Sequence, residues 1–271
     1  MFHFFDGEHK HMSNYLEVAV EAARLGGGVL KQSYGHVKKI EYKGATDLVT
    51  EVDKRTEKLV TDLLSARFPQ HSILAEEGTE VTRPSEFKWV IDPLDGTTNY
   101  AHDYPLFCVS IGLEKKGEVI AGVVFNPIAD ELFVAEKGSG AYLNGKKIQV
   151  SRVDNIRQSL LSTGFPYDVV ESPANALKYF GAFIEKAQAV RRDGSAALDL
   201  CYLALGRFDG FWEVRLKPWD TAAGSLVVTE AGGKITDFKN NHYSIYQVQT
   251  LASNGLIHEQ MREVMHRVSA D

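Results

Sequence analysis

The stretch Trp89-Val-Ile-Asp92-Pro-Leu-Asp95-Gly-Thr-Thr-Asn-Tyr100 holds two carboxylates, a proline, a glycine and two threonines. The apolar triplet at its start predicts a short buried strand, and the residues that follow predict a turn that ends this strand. The proline fixes one backbone dihedral, and the glycine permits a close backbone approach that a side chain would forbid. Asp92 and Asp95 can therefore converge despite the three-residue step between them.

Converging carboxylates need a partner, because two of them repel by about 3 kcal/mol at about 5 Å and an effective dielectric of about 20. A divalent cation between Asp92 and Asp95 would offset that repulsion. Carboxylate oxygens are the ligands that hard cations prefer, which indicates Mg²⁺ or Mn²⁺. Asp-Pro and Asp-Gly pairs are also ordinary turn formers, so turn chemistry explains either pair alone.

The whole stretch carries more information than its parts. From Asp92 to Tyr100 it matches D-P-[LI]-D-G-T-x-N-[FY], the signature of the inositol monophosphatase family, and a second family signature recurs at Trp219-Asp-Thr-Ala-Ala-Gly224. The chain therefore resembles that family. The resemblance implies an α+β fold, the layered αβαβα sandwich of the inositol monophosphatase and fructose bisphosphatase type. It also implies a Mg²⁺-dependent phosphomonoester hydrolase, most similar to inositol-1-monophosphatase.

Composition excludes several other classes of protein. A chain of 271 residues, 44% hydrophobic and 24% charged, can bury a large globular core. It has no apolar run near the roughly 18 residues of a membrane helix. Its net charge of −6 argues against a general nucleic-acid binder. We therefore expect a cytoplasmic enzyme without a membrane or nucleic-acid partner, with Cys108 and Cys201 as buried free thiols.

Apolar periodicity outlines two halves of one compact unit. Helical spacing precedes the central stretch, and alternating strands with a hairpin signal at Asn144-Gly145 follow it. The pattern changes around residues 151–155, which marks a soft boundary. Residues 1–150 are expected to carry most metal ligands, and residues 151–271 to complete the substrate cleft. Residues 1–11 include a polar stretch with His9 and His11, and the sequence leaves open whether they are native and ordered.

Two further acids precede the central stretch. Thr50 and Asp53 fit a helix-capping pattern, and the adjacent Glu76 and Glu77 at a strand end fit a solvated loop. The resemblance assigns other roles. It makes Asp53 the carboxylate that orients the attacking water and Glu76 a third metal-binding carboxylate. Lys43 is similar to the family's lysine beside the active-site loop.

The second half contributes three more candidates. Ser195 opens a predicted helix, whose free amides can hold an anion or a hydroxyl-rich ligand, although a plain N-cap also explains this serine. Pro218 suits the first position of another helix, where Asp220 is favourable as a charge alone. The resemblance makes Asp220 the fourth metal-binding carboxylate and Glu213 a contact to ring hydroxyls.

The resemblance implies a complete site, which can be stated by role. The metal ligands are Glu76, Asp92, the Leu94 carbonyl, Asp95 and Asp220. The catalytic residues are Asp53, Glu76 and Thr97. The substrate contacts are Asp95, Gly96, Thr97, Gly194, Ser195, Ala196, Glu213 and Asp220. It further implies two or three Mg²⁺, or Mn²⁺ in their place, sensitivity to Li⁺, a small phosphorylated polyol or sugar as substrate, and a homodimer.

Alternatives remain open at this point. Aspartyl-phosphate phosphatases place their acids two residues apart, so the three-residue step here favours direct attack by water. Thr98 resembles inositol-type members, whereas nucleotide-bisphosphate phosphatases usually carry Lys there and archaeal-type fructose bisphosphatases often carry Phe. Fructose-1,6-bisphosphatase, 3'-phosphoadenosine 5'-phosphate phosphatase and a non-catalytic metal-dependent regulatory protein are the alternatives. Lys217-Pro218 replaces the His-Cys of animal relatives, so substrate contacts from that turn stay undecided.

Overall fold

The computed structural model describes residues 13–36, 40–42, 48–166 and 176–270. Residues 1–11 and Lys43 lie outside these ranges. Within them, no helix is both long enough and apolar enough to cross a membrane. The α-helices are α1 (Asn14–Ser33), α2 (Glu51–Arg67), α3 (Thr97–Ala101), α4 (Ala176–Ile184), α5 (Ala196–Ala204), α6 (Pro218–Glu230) and α7 (His258–Ala270).

The strands of the described residues form a short hairpin and two larger sheets. The hairpin pairs β1 (Ile40–Tyr42) with β2 (Leu48–Thr50). The larger sheet has the order β10-β9-β8-β7-β6-β5-β3-β4. Its strands are β3 (Ser72–Ala75), β4 (Glu80–Val81), β5 (Phe87–Asp95), β6 (Cys108–Lys115), β7 (Glu118–Asn126), β8 (Glu131–Glu136), β9 (Gly140–Leu143) and β10 (Lys146–Lys147).

The second sheet has five strands in the order β12-β11-β13-β15-β14. Its strands are β11 (Leu160–Thr163), β12 (Ala189–Arg191), β13 (Gly210–Val214), β14 (Lys234–Thr236) and β15 (Gln249–Ser253). Parallel pairing joins β11 to both β12 and β13, and antiparallel pairing joins β15 to β13 and β14.

Helices and sheets alternate in layers. Helices α1 and α2 pack on one face of the eight-stranded sheet, and α6, with α5 beside it, covers the other face. A central core joins α5 and α6 to both sheets, and it includes Val124 and Phe133 from the first half and Leu200 and Leu226 from the second. Helices α4 and α7 cover the far face of the five-stranded sheet. This order is the predicted αβαβα sandwich, and the α+β fold is confirmed. Both cysteines are free and buried, as predicted.

The predicted end of the central strand is wrong. Strand β5 does not stop before Asp92 but continues to Asp95, and its pairing with β6 shifts in register between these two residues. Such a bulge tolerates a proline, which cannot donate to the ladder, and it redirects the side chains beside it. The chain turns only at Gly96, whose φ of 97° is left-handed, and α3 starts at Thr97. The two carboxylates therefore project from an irregular strand end.

Helix α6 is seated directly on backbone of the eight-stranded sheet. An added Cβ at Gly112 of β6 would come within 2.7 Å of the Ala222 Cβ, and one at Gly122 of β7 would lie 2.9 Å from the Ala223 carbonyl oxygen. Contacts below 3.0 Å are not tolerated by well-packed interiors. The two glycines thus fix the distance between α6 and the sheet.

Candidate active site

A cavity of about 450 Å³ opens where several element ends meet. Its walls include the end of β5 and the first residues of α3, α5 and α6. The predicted site residues that line it are Glu76, Asp92, Leu94, Asp95, Gly96, Thr97, Gly194, Ser195, Ala196, Glu213 and Asp220. The remaining predicted catalytic residue, Asp53, is buried behind Thr97, which lines the cavity. The structure therefore brings together side chains that are up to 167 positions apart in the sequence, from Asp53 to Asp220.

Four acids form what we call the carboxylate cluster: Glu76, Asp92, Asp95 and Asp220. Burial raises the pKa of Asp92 well above its ordinary value, and the negative charges of the other three cluster members raise it further. Burial likewise raises the pKa of Asp220, with added repulsion from Asp95 and Glu76. Asp92 and Asp220 thus share one electrostatic environment with Glu76 and Asp95, and it disfavours the ionised forms of these two aspartates when no cation is bound.

The cluster suits a hard divalent cation. Asp92 Oδ1 accepts a hydrogen bond from the Leu94 amide at 2.9 Å, and Asp220 Oδ2 accepts one from the Lys217 amide at 2.7 Å. Among the described residues, no three His, Cys, Asp or Glu side chains stand close enough to hold an ion by themselves. Mg²⁺ does not require this, because it keeps several waters and binds one or two carboxylates together with substrate phosphate. An all-oxygen set whose carboxylates repel one another therefore fits Mg²⁺.

Asp95 connects the cluster to the second half of the chain. Its Oδ2 accepts hydrogen bonds from the Ser195 hydroxyl at 2.6 Å and from the Ala197 amide at 2.7 Å. The same Ser195 oxygen accepts from the Leu198 amide at 3.4 Å, so Ser195 caps α5 and also contacts the cluster. Burial raises the pKa of Asp95, and these two donors partly oppose the increase. The N-cap interpretation of Ser195 is thus confirmed, and its contact with a substrate stays a prediction.

Asp53 has the predicted helix-capping role and also contacts a residue of the cavity. Its Oδ2 accepts from the Thr50 amide at 2.9 Å and from the Thr50 hydroxyl, which completes a capping box at the start of α2. Its Oδ1 lies 3.1 Å from Thr97 Oγ1, and that hydroxyl is also 3.1 Å from the Leu94 carbonyl oxygen. Burial raises the pKa of Asp53, although the bonds from Thr50 and Thr97 lower it. Asp53 therefore reaches the cavity through Thr97.

Gly96 is required by its surroundings. An added Cβ would come within 2.9 Å of the Leu106 carbonyl oxygen, and the positive φ at this position is strained for any other residue. Cluster residue Asp95 and the hydroxyl of Thr97 stand on either side of it. This local backbone explains why two acids and a hydroxyl can face one cavity from adjacent positions.

Another part of the cavity, which we call the second wall, consists of Gly164, Phe165, Arg192, Asp199 and Glu213. An added Cβ at Gly164 would overlap both carboxylate oxygens of Glu213, so this glycine makes room for the acid. Burial raises the pKa of Glu213 to about 8, which nearby Arg192 opposes and Asp95 increases. Sequence reasoning found only Glu213 here.

The missed residues of the second wall left weak signals. Gly164 and Phe165 follow directly after a strand end, a position where binding residues concentrate. Asp199 is an acid in an otherwise apolar helix. Arg192 follows Arg191, and this basic pair is too short to indicate nucleic-acid binding. Other lining residues outside the predicted set are Thr163, Pro166, Val214, Arg215, Leu216, Lys217 and Trp219.

Comparison with known proteins places the chain in a family. The model of the "Inositol monophosphatase family" matches residues 11–270. An inositol-1-monophosphatase of Synechocystis is 43% identical over 256 residues, which are 94% of this chain and 89% of the relative. The Nus factor SuhB of Salmonella typhimurium is 42% identical over 246 residues, 90% of this chain and 92% of the relative.

A solved structure agrees with these relatives. The inositol monophosphatase from Anabaena superposes with a TM-score of 0.85 at 44% identity, covering 93% of this chain and 95% of that chain. Fold, motifs and relatives point the same way, and the relatives carry phosphatase and Nus factor names alike. The chain belongs to the inositol monophosphatase family, a family of metal-dependent phosphatases that act on small phosphorylated substrates.

Proposed function

We propose that the protein hydrolyses inositol 1-phosphate to inositol and phosphate by direct attack of water. The observation that supports this most is the carboxylate cluster, in which Asp92 shares its cavity with Glu76, Asp95 and Asp220. A cluster of this kind is unfavourable on its own and becomes favourable around divalent cations. The name of the Synechocystis relative supports inositol phosphate as the substrate.

The metal ligands in this proposal are Glu76, Asp92, the Leu94 carbonyl, Asp95 and Asp220, and two or three Mg²⁺, or Mn²⁺, would be held. When bound, such cations supply positive charge to the phosphoryl and leaving-group oxygens and lower the pKa of a bound water. Phosphate monoesters need this help, since enzymes accelerate their hydrolysis by up to about 10²¹-fold.

Thr97 and Asp53 orient the attacking water. Asp53 is held rigidly by the capping box, and its Oδ1 lies within hydrogen-bond distance of the Thr97 hydroxyl. Thr97 lines the cavity and can therefore contact the water directly, with Glu76 on the same wall. In this arrangement Asp53 is a positioning residue, and the helix cap gives it its precision.

The leaving group occupies the second wall and the start of α5. Gly194, Ser195 and Ala196 line the cavity there, and Glu213 offers a carboxyl group for ring hydroxyls. Gly96 and Thr97 line the part where the phosphate would bind. Asp95 and Asp220 line the same cavity, and in this proposal they contact the oxygen that joins phosphate and inositol.

The experiment is a comparison of kcat/KM with Mg²⁺ on inositol 1-phosphate, fructose 1,6-bisphosphate and 3'-phosphoadenosine 5'-phosphate. We expect the highest value on inositol 1-phosphate, no turnover in EDTA and inhibition by Li⁺. A higher value on either of the other two would replace the substrate but keep the chemistry.

A second candidate follows from the Nus factor name of the Salmonella relative, which favours a metal-dependent regulatory protein. Absence of turnover on every one of the three substrates, with cation binding intact by calorimetry, would favour that role.

We further propose that the protein acts as a cytoplasmic homodimer. Sedimentation velocity would test its oligomeric state.

A further inference from the structure

A buried acid of the second wall has no assigned role. Asp199 lies in the first turn of α5, lines the cavity and is 2% exposed. Its Oδ1 atom has no hydrogen-bond partner among the described residues. Buried polar atoms are rarely left unpaired, so this carboxyl group needs an explanation.

The fold does not supply that explanation. Helix α5 is already capped, because the Ser195 hydroxyl accepts from the Leu198 amide. The Asp199 amide donates to the Ser195 carbonyl oxygen at 3.0 Å, as in any helix. Neighbours Leu198, Leu200 and Cys201 belong to the apolar core. Residues one and two positions apart on a helix do not face the same side, so these neighbours do not satisfy the carboxyl group. It is explained best by a partner that enters from the cavity.

The electrostatic surroundings indicate which partner. Burial raises the pKa of Asp199 well above its ordinary value, with further increase from Asp193, Glu213 and Asp95 and opposition from Arg192. A carboxyl group that keeps its proton offers one donor and one acceptor. Glu213, whose pKa is raised to about 8, offers the same pair. Two such groups on one wall match neutral hydroxyls, each of which both donates and accepts.

We propose that Asp199 is a specificity-determining residue that hydrogen-bonds a ring hydroxyl of the leaving group, beside Glu213. This inference rests on the proposed phosphatase function and adds a residue to its substrate site. It commits the second wall to polyhydroxyl leaving groups.

The test compares two substrates and two variants with Mg²⁺ present. Inositol 1-phosphate carries ring hydroxyls, whereas p-nitrophenyl phosphate has a leaving group without any. Asp199→Leu removes the hydrogen-bonding groups, and Asp199→Asn keeps a donor and an acceptor of similar shape. We expect Asp199→Leu to lower kcat/KM on inositol 1-phosphate by about 10- to 100-fold, and Asp199→Asn by less than about threefold.

On p-nitrophenyl phosphate we expect both variants to stay within about threefold of the wild type. Asp193→Leu is the matched control. The charge of Asp193 acts on Asp199, but Asp193 is not among the residues that line the cavity. This control should leave the ratio of kcat/KM on inositol 1-phosphate to kcat/KM on p-nitrophenyl phosphate unchanged. The melting temperature of Asp199→Leu should equal or exceed that of the wild type, since an apolar residue replaces an unpaired polar group.

Two results would overturn the inference. Equal losses on both substrates, or a clearly lower melting temperature, would assign Asp199 a structural role such as holding a buried water. Unchanged kcat/KM of Asp199→Leu on inositol 1-phosphate would remove Asp199 from the substrate site. If the wild type turns over neither substrate, the proposed function fails first, which distinguishes that outcome from both of these.

Discussion

The carboxylate cluster and the second wall lie in one cavity but are built differently. Three of the four cluster acids, Glu76, Asp92 and Asp95, fall within 20 residues of chain, and the last two share one strand end. The second wall takes one residue each from β13, α5 and the segment after β12, and two from the segment after β11. Most of the cluster is therefore fixed by local backbone geometry, whereas the second wall exists only because α5 packs beside three strands of the five-stranded sheet.

This difference separates chemistry from selectivity. Cations and phosphate require a fixed set of oxygens, so a compact motif serves them well. A leaving group is recognised by shape and hydroxyl positions, and isolated side chains on separate elements can change one at a time. We expect variants of the cluster to affect every substrate alike and variants of the second wall to discriminate between substrates.

The largest effect should come from Asp95→Asn. Asp95 accepts from Ser195 and Ala197 and belongs to the cluster, so the variant loses one of the charges proposed to bind metal and keeps an acceptor oxygen. We expect kcat to fall by at least about 10³-fold on inositol 1-phosphate and on p-nitrophenyl phosphate alike. Steady-state kinetics with Mg²⁺ measures this. A loss confined to inositol 1-phosphate would contradict the proposed division of the cavity.

A smaller, selective effect is expected for Gly164→Ala. The new Cβ would displace the Glu213 carboxylate, so kcat/KM on inositol 1-phosphate should fall by about 10- to 100-fold, with less than about threefold change on p-nitrophenyl phosphate. Gly181→Ala is the control, because Gly181 is an exposed residue of α4 with nothing within 4 Å of an added Cβ. It should raise stability by about 0.5–1 kcal/mol and leave kinetics unchanged. Equal losses on both substrates would place Gly164 outside leaving-group recognition.

The smallest effect concerns pH and stability without metal. Glu213 has an ordinary pKa of 4.5, and burial raises it to about 8 in the folded protein. Between these values the unfolded chain has released a proton that the folded chain retains, so stability falls as pH rises from about 4.5 to 8 and this contribution then levels off. Urea unfolding in EDTA should show this decline, and Glu213→Gln should reduce its slope.

The exposed Glu263→Gln serves as the control and should leave that slope unchanged. Mg²⁺ should reduce the decline as well, because bound cations favour the ionised carboxylates of the cluster. An equal slope for wild type and Glu213→Gln would mean that Glu213 does not keep its proton in the folded state.

The sequence predicts the carboxylate cluster better than the second wall. Asp92 and Asp95 are predictable because proline, glycine and hydroxyls surround them in one segment. Asp199 is not, since an acid in an apolar helix acquires meaning only when Arg192 and Glu213 are seen beside it. The continuation of β5 past Asp92 was missed because Pro93 signals a strand end, whereas the register shift against β6 accommodates it.

The helices and strands that form the layers can be predicted from sequence for a different reason. Apolar periodicity marks helices such as α1 and strands such as β6 and β7 whatever they pack against. Register, bulges and the meeting of the two sheets depend on contacts between distant segments, which no local pattern encodes.

The glycines beneath α6 limit how this cavity can change. Gly112 and Gly122 let α6 lie directly on the backbone of the sheet, and Asp220 stands in the first turn of that helix. A change in the shape of the cavity through movement of α6 would therefore require changes in the sheet beneath the helix. New substrate preferences are therefore expected from cavity residues outside α6, such as Phe165 after β11 and Leu216 after β13, rather than from a shift of that helix.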